Sequence, residues 1–88
     1  MDRLDEAERA LREALERSTA TGYDEGVVNA SLGLGRVCDR TGRPAEARAH
    51  LAFALSSAER HGLRTFELEA HDALADLHER CGEPAGGA

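Results

Sequence analysis

The sequence lacks the large side chains from which enzyme pockets are usually built. Its 88 residues include no tryptophan, one tyrosine and two phenylalanines, and the other apolar residues are mostly Ala, Leu and Val. A chain of this length buries only about 60–65% of its unfolded surface, so its core is thin. The composition favours close contacts between helices over a wide ligand cavity. We therefore expect one small domain that is not an enzyme.

Lysine is also absent, so the positive charge comes from eleven basic residues that are all arginine, against seventeen acidic residues, with a net charge of −6. Binding to nucleic acid requires clustered positive charge. The charge balance therefore argues against direct contact with nucleic acid. It favours a protein or peptide partner, and a basic one in particular.

Long apolar runs are missing as well. No run approaches the roughly 18 residues that a membrane span needs, and the start Met1-Asp2-Arg3 does not have the composition of a signal peptide. We therefore expect a cytoplasmic protein that does not enter a membrane. The two cysteines, Cys38 and Cys81, are too few for a disulfide framework or a zinc motif. Both are expected to stay thiols and to serve as small apolar core residues.

Motifs for catalysis or metal binding are not found. The sequence has neither a Gly-x-Ser-x-Gly elbow nor a phosphate loop, and Leu32-Gly33-Leu34-Gly35 lies within a helical pattern. Among the four histidines, His71 and His78 share a side of one predicted helix but are about 10 Å apart along its axis. Chelation of one ion favours a spacing of four residues, so a partly buried structural His78 is preferred. We expect no catalytic residue, no metal site and no cofactor.

The feature that is present is an internal repeat with an offset of forty residues. Identical pairs occur along almost the whole chain: Arg3/Arg43, Glu6/Glu46, Ala7/Ala47, Leu11/Leu51, Ala14/Ala54, Leu15/Leu55, Gly22/Gly62, Ala30/Ala70, Leu34/Leu74, Arg40/Arg80, Gly42/Gly82, Pro44/Pro84 and Ala45/Ala85. Within each unit the apolar residues recur at a spacing of three to four, which is typical of amphipathic helices. The repeat therefore contains two helices, and the chain contains two copies of each.

Four helices are predicted, near residues 2–20, 24–40, 44–61 and 65–81. Residues that suit helix ends and starts separate them: left-handed stops at Gly22, Gly42 and Gly62, N-caps at Asp2, Asp24 and Thr65, and a first-turn proline at Pro44. Loops of about three to five residues require neighbouring helices to be antiparallel. We expect an all-α domain over residues 1–85 and a disordered tail over residues 86–88.

Several residues around the middle of the chain have the spacing of a known helical-repeat signature: Leu34-Gly35, Gly42, Ala47, Leu51 and Ala54. The chain therefore resembles the tetratricopeptide repeat family over nearly its whole length. The resemblance implies an αα-hairpin repeat coiled into a right-handed superhelix that binds proteins or peptides. The period of forty exceeds the usual period of about 34 residues. It resembles the variety found in large bacterial transcriptional regulators, which implies a part in signalling or transcription.

The resemblance also implies where a partner binds. In the family the first helix of each repeat, helix A, lines a concave groove, and the four helices here would run B, A, B, A. The expected partner-binding residues are Asn29, Leu32, Arg36, Asp39 and Arg40 on the second helix and Glu69, Asp72, Asp76, Glu79 and Arg80 on the fourth. The four carboxylates of the fourth helix share one face and repel one another. Either a basic peptide binds these carboxylates, or the arginines across the groove pair with them. Each such surface ion pair would contribute roughly 0–1 kcal/mol to stability.

Two other functions stay open. The first and the last helix each lack one neighbour in this arrangement, and about three repeats are normally needed for stability. We therefore expect the chain to be a piece of a longer array, or to self-associate as a reciprocal dimer or a head-to-tail oligomer. A metal- or nucleic-acid-binding enzyme module is a third alternative, which the charge and the histidine spacing disfavour.

Overall fold

A computed structural model describes residues 3–80, and every regular element in that range is an α-helix: α1 (Arg3–Thr21), α2 (Asp24–Arg40), α3 (Pro44–His61) and α4 (Arg64–Arg80). Consecutive helices pack antiparallel, and α4 also touches α2. The predicted all-α hairpin repeat is confirmed, and the helix ends at the three loops lie within one residue of the expected bounds. Expectations for Asp2, Cys81, the domain end and the tail lie outside the described residues. None of these four helices is long and apolar enough to cross a membrane.

The three loops share one backbone geometry. Each contains a glycine in the left-handed region, with φ of 70° at Gly22, 77° at Gly42 and 66° at Gly62. The residue after each glycine donates its N–H to the carbonyl five residues earlier: Tyr23 to Ser18, Arg43 to Cys38, and Leu63 to Ala58. These bonds satisfy carbonyl groups that a helix end would otherwise leave free. The predicted left-handed stops are therefore confirmed.

The predicted N-caps differ from the structure. The N-cap of α2 is Tyr23, and no side chain caps this helix, so Asp24 is the first helical residue. Helix α4 begins at Arg64, which places Thr65 inside the first turn. The reason is that only one residue separates each glycine from the next helix, and that residue has to take the cap position. Pro44 does lie at the start of α3, as predicted.

The core is centred on α2, which lies between α1 and α3. Helix α2 buries eight residues: Val28, Ala30, Ser31, Leu32, Leu34, Gly35, Val37 and Cys38. Helix α3 buries Ala47, Leu51, Ala54, Ser57 and Ala58, whereas α4 buries only Ala70 and Leu77. Cys38 is fully buried among apolar residues, as expected, and His78 is half-buried.

Helices α2 and α3 approach most closely at Gly35. A Cβ atom on Gly35 would lie 2.6 Å from Cγ of Leu51 and 3.3 Å from the backbone oxygen of Ala47. The first distance is shorter than real Cβ contacts and the second is tighter than most of them, so a larger residue at Gly35 would require Leu51 or the helices to shift. Gly35 and Ala47 therefore provide the small-residue contact that the sequence signature predicts.

Helix α1 is attached differently, because none of its residues is fully buried. An ion-pair cluster, which we call the Arg43 clamp, joins its Glu8 to the loop after α2. The Arg43 guanidinium donates to both oxygens of Glu8, at 2.6 and 3.1 Å, and to the Thr41 hydroxyl at 3.0 Å. Arg12 donates to Glu8 at 2.8 Å. These bonds, from Arg43 first and then Arg12, lower the pKa of Glu8 to about 2.

The close approach at Gly35 predicts a position-specific cost for alanine. Gly35→Ala is expected to lower the free energy of unfolding by about 1–3 kcal/mol, because the new Cβ would overlap Cγ of the buried Leu51 and crowd the backbone oxygen of Ala47, so both must shift. Gly33→Ala is the matched control in the same helix. Its Cβ would lie 2.7 Å from Cδ2 of the half-buried Leu11, which can turn toward solvent. Urea unfolding should show a change below about 1 kcal/mol there, since Ala favours helix over Gly. Equal costs would contradict this account.

The Arg43 clamp predicts how stability depends on pH. The folded pKa of Glu8, about 2, lies below its ordinary value of 4.5, so the clamp stabilises the fold fully above pH 4.5. The stabilisation is lost as the pH falls toward 2. Wild type is therefore expected to exceed Glu8→Gln in unfolding free energy at pH 6, and the difference should shrink between pH 4.5 and 2. Urea titrations at several pH values measure it, with the exposed Glu13→Gln as control. A difference that is constant across this window would disprove the clamp.

Candidate functional site

A cleft of about 230 Å³ separates α2 from α4, on the side where these two helices meet. We call it the α2–α4 cleft. Its lining consists of Gly35, Arg36, Asp39, Arg40, Leu51, Asp72, Ala73, Asp76 and Arg80. Most of these side chains are charged, and the uncharged ones come from the helix crossing and from the inner side of α4. The cleft therefore combines a small apolar floor with charged walls.

The two walls of the cleft carry opposite charge. On α2, Arg36 and Arg40 outnumber Asp39, whereas on α4, Asp72 and Asp76 outnumber Arg80, so the net charges of the two walls are opposite. The repeat offset of forty places Asp76 at the position of Arg36, so the same backbone site has reversed its charge. Asp72 and Asp76 are four residues apart on one helix face, a spacing at which like charges repel. The cleft is thus electrically polar across its width.

Two ion pairs connect the walls. Arg36 Nη2 lies 3.6 Å from Glu69 Oε2, and the Arg80 guanidinium of α4 contacts the Asp39 carboxylate of α2. Both arginines are more than half exposed, so each pair contributes only about 0–1 kcal/mol. Arg36 and Arg80 therefore pair with Glu69 and Asp39, but these pairs add little to the stability of the domain.

Three charged residues of the cleft have no such partner. Within residues 3–80, Arg40, Asp72 and Asp76 take part in no ion pair. All three are exposed. Arginines within the domain thus pair with part of the acidic face, and the Asp72–Asp76 pair stays accessible to a ligand.

The cleft brings together six of the ten residues that the sequence suggested for partner binding: Arg36, Asp39, Arg40, Asp72, Asp76 and Arg80. Glu69 does not line the cleft but forms an ion pair with Arg36, which does. Asn29 and Glu79 are exposed but do not line it. Their role in binding stays a prediction.

Leu32 was wrongly placed on the binding surface. It is only 1% exposed and belongs to the core cluster with Val28 and the alanines of α3. After its first turn, the exposed positions of α2 are instead Asn29, Arg36 and Arg40, spaced at seven and four. A step of seven from Asn29 returns to the exposed side of α2 at Arg36, whereas a step of three leads into the core at Leu32. Leu32 therefore stabilises the domain and does not reach a partner.

Sequence reasoning did not include the floor of the cleft. Leu51 and Ala73 line it together with Gly35. The repeat could have indicated Ala73, because this residue occupies the position of Gly33, where another helix also packs closely. Small residues at that position allow a neighbouring helix to approach closely.

A second cluster of titratable groups surrounds Cys38, beside the Arg43 clamp. Burial raises the pKa of the Cys38 thiol, and its Sγ lies 3.9 Å from Oε2 of Glu46. Burial also lowers the pKa of the half-buried His50. The thiol is therefore neutral at pH 7 and has a carboxylate as its polar neighbour, which is the opposite of an activated nucleophile. No group of three metal-ligating side chains occurs within residues 3–80.

Comparison with known proteins agrees with the helical geometry. The model of a family described as tetratricopeptide repeat matches residues 1–60, which include α1, α2 and nearly all of α3. No curated protein and no solved structure shows significant similarity to the chain. Proteins of the matched family are helical scaffolds for interactions with other proteins. The match covers more than half of the sequence, so the chain belongs to the tetratricopeptide repeat family.

Proposed function

We propose that the chain holds a protein or peptide in the α2–α4 cleft, within a signalling or transcriptional regulator of the cytoplasm. The observation that carries the proposal is the exposed pair Asp72 and Asp76, which takes part in no ion pair within residues 3–80 and stands opposite Arg40. Two adjacent carboxylates repel each other until a positive group lies between them. A basic side chain of the partner supplies that group.

The cleft also constrains the rest of the partner. Its floor is small and apolar, formed by Gly35, Leu51 and Ala73, so it admits a short aliphatic stem more readily than an aromatic ring. Arg40 on the opposite wall offers a guanidinium to a carbonyl or carboxylate oxygen. A segment with a basic residue followed by an acceptor fits both walls. Because the walls are exposed, the charged contacts contribute more to orientation and association rate than to affinity.

Charge reversal on α4 tests this function. An array of basic decapeptides containing Arg or Lys is first screened with the purified protein, and the best peptide is then titrated. The double variant Asp72→Arg and Asp76→Arg is expected to weaken its binding at least tenfold, and the wild-type affinity should fall with added salt. The control reverses Glu13 and Glu16 on α1, which changes the net charge equally but lies outside the cleft. If the α4 variant keeps its fold and binds as before, the cleft is not the site.

A second candidate function is self-association through the outer faces of α1 and α4. Leu68 of α4 is 60% exposed, although Val28 at the equivalent position of α2 is fully buried. Ala75 is exposed too, whereas its equivalent Gly35 is buried under α3. On α1, no residue is buried, although the equivalent face of α3 is. Each of the two outer faces therefore lacks the neighbour that the other could provide. The outer face of α4 in one copy packs against that of α1 in a second copy, as a reciprocal dimer or a head-to-tail oligomer.

The polarity of α4 weighs against a tight contact of this kind. Asp72 occupies the position of the buried Leu32, and His71 occupies that of the buried Ser31. Light scattering over a range of concentrations tests the idea. A mass that rises with concentration and returns to that of a monomer in Leu68→Glu supports it. A well-folded monomer at every concentration rules it out.

A further inference from the structure

The outer face of α3 points away from α2 and carries no charge over three turns. We call it the α3 stripe, and it consists of Ala45, Ala49, Ala52, Phe53 and Ser56. All five residues are exposed, and Phe53, the largest of them, is 47% exposed. None of them lines the α2–α4 cleft. The stripe is therefore an apolar surface with no partner among residues 3–80.

Helix α1 shows what the repeat requires at these positions. The offset of forty places five charged residues of α1 at the positions of the α3 stripe: Asp5, Arg9, Arg12, Glu13 and Glu16. All five are exposed as well. Packing within the repeat therefore does not need uncharged side chains at these positions. An exposed aromatic residue within a continuous uncharged surface is typical of an interaction site.

The charges that flank Phe53 identify the occupant. Glu46, Phe53 and Arg60 are spaced by seven residues, which is two helical turns, so they lie along one line of α3. Glu46 and Arg60 each stand about 10 Å from Phe53, on opposite sides of it. Both are exposed, and Glu46, although it pairs with Arg43 at 3.3 Å, keeps a side-chain exposure of 53% that leaves it accessible to a second cation. The line thus carries a negative end, an aromatic centre and a positive end.

Such a line is complementary to its own antiparallel copy. A two-fold axis at Phe53 places the Phe53 rings of two copies together and sets Glu46 of each copy opposite Arg60 of the other. A parallel arrangement would instead oppose like charges at both ends. The alanines of the α3 stripe allow the two helices to approach closely beside the aromatic contact. The charge order therefore selects one geometry out of two.

We infer that the α3 stripe is the interface of a homodimer, in which α3 of one chain packs antiparallel on α3 of a second copy. This inference does not depend on the peptide site, and the contact differs from that between the outer faces of α1 and α4. One pair of helices gives a contact at the small end of specific interfaces, so the dimer dissociates at concentrations on the order of micromolar to millimolar.

Sedimentation velocity between about 10 μM and 1 mM tests the dimer. Wild type is expected to shift from monomer to dimer, and Phe53→Glu should raise the dissociation constant at least tenfold. The matched control is Tyr23→Glu, which places the same charge at another exposed aromatic residue, outside both the α3 stripe and the outer face of α4. Circular dichroism verifies the fold of each variant. A wild type that stays monomeric, or a dimer that Leu68→Glu abolishes and Phe53→Glu does not, overturns the inference.

A mixing experiment tests the antiparallel geometry. Glu46→Arg alone sets two arginines against each other at both ends of the interface, and Arg60→Glu alone sets two glutamates against each other, so each variant should dimerise at least tenfold more weakly. An equal mixture restores opposite charges at both ends. We expect the mixture to dimerise at least as tightly as wild type. If each variant is folded and the mixture remains as monomeric as its components, the antiparallel interface is wrong.

Discussion

The close approach of α2 and α3 at Gly35 determines the position of most other parts of this molecule. Because Gly35 has no Cβ, the Leu51 side chain lies directly against its backbone. The same Leu51 reaches the floor of the α2–α4 cleft. The core and the candidate site therefore share one contact. A change in the helix separation at this point would alter the depth of the cleft as well as the stability of the domain.

The repeat separates the roles of backbone and side chains. Three loops with the same glycine geometry place four helices in one regular order, and equivalent positions then differ in chemistry. Arg36 and Asp76 give the two walls of the cleft opposite charge, and Phe53 on α3 replaces the charged Glu13 of α1. These differences distinguish one surface from another on an otherwise repeated frame. Function in such a chain follows from the positions at which the two copies disagree.

The parts of the fold that depend on local sequence could be predicted. Helix positions follow from the three-to-four spacing of apolar residues, and the turns follow from the need for glycine in the left-handed region. The prediction of the N-caps was wrong because the cap position depends on where the next helix begins. In α2 this position is taken by Tyr23 and not by Asp24. The placement of Leu32 on the binding surface was wrong because α2 has neighbours on several sides. One step along the helix changes which neighbour a side chain contacts.

The sequence offered pairing with arginines across the groove as one alternative, but the residues that meet could not be read from it. Arg36 and Glu69 are distant in the chain, and their contact depends on the crossing of α2 with α4 and on the rotamers of two long side chains. The same holds for Glu8 and Arg43, whose positions in the repeat give no indication that they meet. Sequence patterns assign residues to helix faces, whereas the angle between helices decides which residues of two faces touch.

The shallow burial of α1 has a consequence for how the molecule opens. A helix without one fully buried residue, attached by half-buried leucines and the Arg43 clamp, can leave the domain while α2 and α3 remain packed. The backbone amides of α1 should therefore exchange their hydrogens with solvent through a partial opening of low free energy, and those of α2 only through global unfolding. Within residues 3–80 we therefore expect the pair α2 and α3 to be the most stable unit, and the release of α1 to expose one side of it.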